Sequence, residues 1–249
     1  RLDKIPLPQP FTWIYLVPPI VLLLLTKKGI PVSTTFLVLT IFAPQNLGSM
    51  MTKSILGYAV AFGFSIALYF ALARTIEKRF LDTADQPPPR HWTVLQWVST
   101  GFLWSQWLIQ DLANIFVYVP RKMSLGWLVF ALVVMGALHA HTFYSAGGEI
   151  QKVVTSKTNT QDIRSATIID FSYALVLLLF KEWSKIPMST TWVFLGLLAG
   201  REIAMTARLH ARPMKETLQM IGKDGLKVTG GLAVSVVLAL TLPRIAEAL

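Results

Sequence analysis

The sequence predicts an all-α, polytopic integral membrane protein with inverted repeats and discontinuous or re-entrant helices, and three observations carry that prediction. Of its 249 residues, 53% are hydrophobic and only 14% charged, whereas soluble domains hold roughly 25% charged residues. Several uncharged stretches approach the ~20 residues that a helix needs to cross a ~30 Å hydrocarbon core. A proline-led motif also occurs twice in matching hydropathy context, as in internally repeated membrane folds. The same composition excludes disorder, collagen and a disulfide scaffold, and the lack of cysteine excludes thiol chemistry and cysteine-ligated metals. The formal charge of +10 sits in clusters between apolar segments (Lys27 and Lys28; Arg74, Lys78 and Arg79; Arg121 and Lys122). Such clusters suit loops facing anionic headgroups rather than nucleic acid.

In chain order, the expected spans are residues 54–73, 94–114, 124–143, 166–180 with their flanks, and 226–242. Residues 11–26 form a further, shorter span. Pro18 and Pro19 lack N–H donors and should kink or break it. Two apolar stretches, 31–43 and 187–200, are too short to cross comfortably and begin with proline, so they read as re-entrant or discontinuous helices. Polar breaks fall at 75–91, which holds Pro87, Pro88 and Pro89, at 146–164 and at 201–223. In the last, Arg208, Arg212 and Lys215 alternate with Leu209, Met214 and Leu218, as in an interfacial helix; a solvated linker fits nearly as well. Trp13, Trp92, Trp97, Trp127 and Trp183 lie near span ends, where indoles anchor at the headgroups. No signal peptide is visible, and Arg1 at the start reads as the beginning of a trimmed chain or of a piece of a longer one.

The most informative feature is the repeat. The chain reads Lys28-Gly29-Ile30-Pro31-Val32-Ser33-Thr34-Thr35 and, downstream, Ser184-Lys185-Ile186-Pro187-Met188-Ser189-Thr190-Thr191. Proline at the first turn of a helix sacrifices no hydrogen bond. The hydroxyls and unpaired N–H groups behind it lie at the positive end of the helix dipole, which suits an oxyanion. In a single copy, capping and packing would explain these residues; two copies favour a pseudo-symmetric anion site between the halves of the protein.

Ionisable residues inside spans are costly and face a cavity or a partner. Gln110, Asp111 and Asn114 place a carboxylate and two amide carbonyls within one turn, which are hard ligands for Na⁺ or a proton relay. The competing reading leaves Asp111 solvated at a helix end. Asp170 is better read as an N-terminal dipole partner than as a second coupling group, because the repeat places Ile14 at its equivalent. His139 and His141 belong at the interface. No nucleophilic triad, phosphate-cradling glycine loop or dinucleotide fingerprint is present, so neither an enzyme nor an organic cofactor is expected.

These residues resemble the inorganic phosphate transporter (PiT) family of sodium- or proton-coupled phosphate permeases. Its Pro-x-Ser-Thr-Thr motif appears at 31–35 and 187–191, and its Gly-x-Asn-Asp-x-Ala-Asn motif is approximated by Ile109-Gln110-Asp111-Leu112-Ala113-Asn114. Residues 147–157, followed by a span and the second Ser-Thr-Thr, also look like that family's connection. The resemblance implies phosphate, or a related oxyanion, held by Ser33, Thr34, Thr35, Ser189, Thr190 and Thr191. It implies a coupling Na⁺ or H⁺ at Asp111 and Asn114, with Gln110 in place of the usual Asn, and no other metal or cofactor. It further implies two inverted halves: 1–80 ending the first repeat, 81–92 a linker, and 93–249 the second repeat. A homodimer or larger membrane complex in a bacterial inner or plasma membrane is the expected setting. The family carries the Asp/Asn motif twice, and here it occurs once. Phe36 and Trp192 stand where the family commonly has His. A degenerate, transporter-like structural subunit is therefore the rival expectation.

Overall fold

The structure, a computed structural model, describes residues 5, 11–119, 122–183 and 189–247, which are helical throughout apart from turns and loops. Among the described residues, four helices are long and apolar enough to cross a membrane: Pro44–Asp82, Leu125–Tyr144, Ile163–Phe180 and Met214–Ala246. These four mark the chain as a membrane protein. The expected span at 94–114 is a helix, α5 (Arg90–Phe116), but falls outside the four because Gln96, Thr100, Gln106, Asp111 and Asn114 interrupt it. Residues 11–26 divide into a 3₁₀ turn, Trp13–Leu16, and α1, Val17–Lys27. Pro18 and Pro19 occupy the first turn of α1, where their missing N–H groups cost nothing.

Gly29 ends α1 in the left-handed region, at φ 68°. The Ile30 N–H reaches back to the Leu25 carbonyl at 3.0 Å, a closure that favours glycine at this position. The first Ser-Thr-Thr copy then opens a short helix: a π-helical turn, Thr35–Leu39, runs into α2, Thr40–Phe42. Every residue of this stretch is buried. A 3₁₀ turn at Pro44–Asn46 leads into α3, Leu47–Leu72, which continues through a π-helical turn, Ala73–Glu77, to α4, Lys78–Asp82.

After α5 come α6, Leu125–Tyr144, and the short α7, Gly148–Thr155. They are followed by α8, Ile163–Trp183, α9, Thr190–Leu209, and α10, Met214–Glu247. The second copy thus repeats the order of the first: a helix, a serine-led helix, then a long helix. Pro187 and its neighbours at 184–188 lie outside the described residues.

Packing is dominated by two pairs, α3 against α9 and α5 against α8. The α3 face is a stripe at helical spacing: Met50, Ser54, Gly57, Ala61, Ser65 and Tyr69 are all buried. Opposite it, Gly196 and Gly200 of α9 form a Gly-x-x-x-Gly pair. A Cβ added at Gly196 would lie 2.4 Å from the Tyr58 carbonyl oxygen, and one at Gly200 would lie 2.3 Å from that of Phe62. The two backbones are in direct contact, the usual outcome where lipid offers no hydrophobic drive and close packing must hold helices together.

Two boundaries differ from the sequence reading. Residues 201–223 are not one polar break, because α9 runs through Arg201 and Glu202 to Leu209 and α10 begins at Met214. Arg208 and Leu209 therefore belong to α9 and Lys215 and Leu218 to α10, with a left-handed turn at His210 (φ 53°) between them. They form no single interfacial helix. The charges stay inside because they find partners. Arg201 pairs with Glu77 at 3.3 Å and with Glu202 at 3.2 Å, all three with fully buried side chains. The start of the 75–91 break is likewise helical as far as Asp82, and its Glu77 is this internal partner. Burying such a triad is tolerated only when the charges satisfy one another. The Thr158 N–H (2.8 Å) and hydroxyl (2.9 Å) donate to the two Glu202 oxygens, and Arg201 donates to the Thr158 carbonyl at 2.5 Å.

Candidate functional site

Three sequence features far apart in the chain meet at one place: the two Ser-Thr-Thr copies and the polar turn of α5. Each copy starts its helix in the same way. Ser33 Oγ accepts from the Phe36 N–H and Ser189 Oγ accepts from the Trp192 N–H, each at 3.2 Å. In both copies the serine oxygen is thus a cap on the third residue beyond it, and its O–H hydrogen remains available to donate.

The middle residue of each copy faces Asp111. Thr34 Oγ1 donates to Asp111 Oδ1 at 3.1 Å, and Thr190 Oγ1 donates to Asp111 Oδ2, also at 3.1 Å. Asn114, one turn along α5, donates through Nδ2 to Asp111 Oδ1 and to Thr34 Oγ1, each at 3.0 Å. Equivalent threonines therefore hold the two oxygens of one carboxylate. Asp111 and Asn114 are each 8% exposed and Thr190 5%, so the reading of a solvated Asp111 at a helix end does not hold. Asn114 Oδ1 is buried and accepts no hydrogen bond.

The third residues behave differently. Thr191 Oγ1 donates to the Val32 carbonyl at 3.3 Å, tying the second copy to the backbone of the first. Thr35 is buried. Gln110 lies on α5 between Ile109 and Asp111, and its side chain is outside the described residues.

The surrounding helices fix this geometry. Ser54 of α3 accepts from the Ser189 N–H at 2.8 Å, occupying one of the donors that a helix start leaves unpaired. Tyr173 of α8 donates to the Thr190 carbonyl at 2.9 Å. Gly231 of α10 packs against the first copy, since a Cβ there would lie 3.2 Å from the Pro31 carbonyl oxygen. Five parts of the chain thus hold one carboxylate at the N-terminal ends of two helices. Each helix end contributes roughly half a positive charge, and each charge-assisted hydrogen bond contributes about 1.5–3 kcal/mol.

One polar triad and one pair of glycines escaped the sequence reading. The Arg201–Glu77–Glu202 triad lies about 16 Å along α9 from Thr190, at 1.5 Å per residue; no local pattern links Glu77 to residues more than a hundred positions away. Gly196 and Gly200, by contrast, carried a readable signal in their four-residue spacing. Among the described residues, no group of three or more His, Cys, Asp or Glu side chains could hold a metal ion. Asp170, expected to act as a dipole partner at a helix start, lies seven residues into α8 and faces α5, where Gln96 and Thr100 donate to it.

Compared with known proteins, the chain matches no family model, no curated protein and no solved structure.

Proposed function

We propose that this chain is a secondary transporter that carries inorganic phosphate or a related oxyanion, coupled to Na⁺ or H⁺, in a bacterial inner or plasma membrane. One observation carries the reading: Thr34 and Thr190, equivalent in the repeat, donate to the two oxygens of Asp111. Two helix starts converging on an oxygen-rich anionic group form an oxyanion cradle, with the Asp111 carboxylate as its internal occupant. The likeness of the two Ser-Thr-Thr motifs and the α5 motif to the PiT family supports the same conclusion. The first Ser-Thr-Thr helix is short and wholly buried, as a re-entrant segment would be. Two halves rocking about this point would expose it to each side in turn.

In this scheme Asp111 also provides the coupling. With Asp111 ionised, both threonine hydroxyls are engaged by its oxygens. A cation bound between Asp111 and the unsatisfied Asn114 Oδ1 offsets that charge and lets the hydroxyls turn to the transported anion. Cation and anion then strengthen each other's binding by the same factor. The test is thermal unfolding of the purified chain in nanodiscs with phosphate, Na⁺, both or neither. Phosphate at about a hundred times its Kd should add ~2.7 kcal/mol of stability, and only when Na⁺ or a lowered pH accompanies it. Phosphate that stabilises equally without either cation argues against the coupling.

The rival reading, a structural subunit of a larger membrane complex, is favoured by α6, none of whose residues is buried. A helix so thinly packed could lie against other chains as readily as against lipid. Under that reading neither phosphate nor the cations shift the unfolding transition.

A further inference from the structure

A second membrane-embedded carboxylate, Asp170, lies in a setting that the transport reading leaves unused. From the arrangement around it we infer that Asp170 is a proton-binding site: the side chain takes up and releases a proton within the helix bundle, with Gln96, Thr100 and Thr167 rearranging their hydrogen bonds to suit each state.

Asp170 Oδ2 accepts from Gln96 Nε2 at 2.8 Å and from Thr100 Oγ1 at 2.9 Å, both on α5. Neither donor is charged, and no ion pair reaches Asp170 among the described residues. An ionised carboxylate inside a span without a cationic partner is among the costlier arrangements a membrane protein can hold. Binding a proton removes that cost.

The surrounding groups are able to satisfy both states. Thr167 Oγ1 lies 2.6 Å from Gln96 Oε1 and 2.7 Å from the Ile163 carbonyl. A hydroxyl has one hydrogen and can serve only one of these acceptors at a time. When Asp170 is ionised, Thr167 donates to Gln96 Oε1, which turns the amide nitrogen toward the carboxylate. When Asp170 is protonated, its O–H donates to Gln96 Oε1 after the amide turns over. Gln96 Nε2 then donates to Thr167, whose hydroxyl donates to Ile163. In the arrangement seen, the other Gln96 Nε2 hydrogen reaches Thr100 Oγ1 at 2.9 Å, and the net change between the two arrangements is one proton gained on Asp170. In the arrangement seen, Gln96 presents an N–H₂ donor to the carboxylate, which suits an anion or a proton cycle and does not suit a metal cation.

The other elements packed here bring Tyr69 of α3, a neutral phenol within electrostatic range of Asp170. They also bring the Glu77–Arg201 pair, whose members neutralise each other. On α5, Ser99 is committed to the Thr167 carbonyl at 2.9 Å. The site is about 16 Å along α5 from Asp111, counted from Thr100 at 1.5 Å per residue, and so can load independently. On the transport reading it would add a proton to the driving ions, but the titration itself does not rest on that reading.

Infrared difference spectroscopy of the full chain in nanodiscs tests the inference. As pH is stepped from about 5 to about 9, spanning the range into which an apolar site moves a carboxyl, a protonated carboxyl band should disappear with a single midpoint. The band should be missing in Asp170→Asn and present in Asp111→Asn. Thr100→Val removes one donor to the ionised form and should raise the midpoint by about one pH unit, a tenfold gain in proton affinity. This variant keeps the inference testable if Asp170→Asn fails to assemble. A band unaffected by both Asp170→Asn and Thr100→Val, or no titrating carboxyl in the wild type, overturns it.

Discussion

Gly200→Ala tests whether the α3–α9 contact is as close as described. The added Cβ would lie 2.3 Å from the Phe62 carbonyl oxygen and 3.1 Å from its carbonyl carbon, where ordinary contact begins at 3.4 Å. The obstruction is helix backbone, which cannot rotate aside as a side chain tip can. The helices must therefore part by about 1 Å along the stripe from Met50 to Tyr69. A gap of that size forfeits a quarter to a half of each dispersion contact it opens, and overpacking of this kind costs about 1–3 kcal/mol. The better helix propensity of alanine returns up to ~1 kcal/mol in both Gly200→Ala and an open-site control, so the difference between the two reads the overpacking cost of about 1–3 kcal/mol. Gly63→Ala on α3 is the control, since nothing lies within 4 Å of its added Cβ, and it should be neutral or stabilising. Unfolding in a denaturing detergent titration, followed by far-UV circular dichroism, compares the two. Equal stability of Gly200→Ala and Gly63→Ala would refute the close-contact account.

Other perturbations follow from the same contacts. Arg201→Met leaves Glu77 buried without its cation, while Glu202 keeps Arg212 at 3.7 Å, and should cost about 3–5 kcal/mol; adding Glu77→Gln should recover part of the loss, and the same unfolding titration reads both. Ser54→Ala strips the acceptor from the buried Ser189 N–H and should cost about 1–3 kcal/mol, whereas Ser54→Thr should retain most of the stability. Burial works against the charged form of Asp162, but the hydrogen bonds and charge of Arg164 outweigh it and hold this carboxyl below the ordinary carboxylate range. A lowered pKa adds stability that is complete above the unfolded value of about 3.9 and is lost as pH falls through the folded one. Melting temperatures of the wild type and Asp162→Asn should therefore differ at neutral pH and converge in acid.

Much of the architecture could be read from the sequence because its signals are local. The apolar runs gave α3, α6, α8 and α10 as spans, and Pro18 and Pro19, expected to kink or break the 11–26 span, lie just past the point where it divides into a 3₁₀ turn and α1. The repeated Ser-Thr-Thr placed two equivalent helix starts, and the polar turn at 110–114 picked out Asp111. That these would meet on a single carboxylate was not legible, because anion ligands and cation ligands are separate expectations until the fold brings Thr34, Thr190 and Asp111 together. The 201–223 stretch misled for a related reason. Arg201 and Glu202 look like surface charges until Glu77 and Thr158 arrive from distant positions to neutralise them. Asp170 was undervalued because its partners, Gln96 and Thr100, lie on another helix and form no motif with it.

The most direct test of the central claim is uptake of radiolabelled phosphate into proteoliposomes under an inward Na⁺ or H⁺ gradient, comparing wild type with Asp111→Asn. The account predicts gradient-driven accumulation by the wild type. It predicts that Asp111→Asn uncouples any remaining uptake from the cation gradient. No uptake by the wild type under either gradient, or unchanged cation dependence in Asp111→Asn, would contradict it.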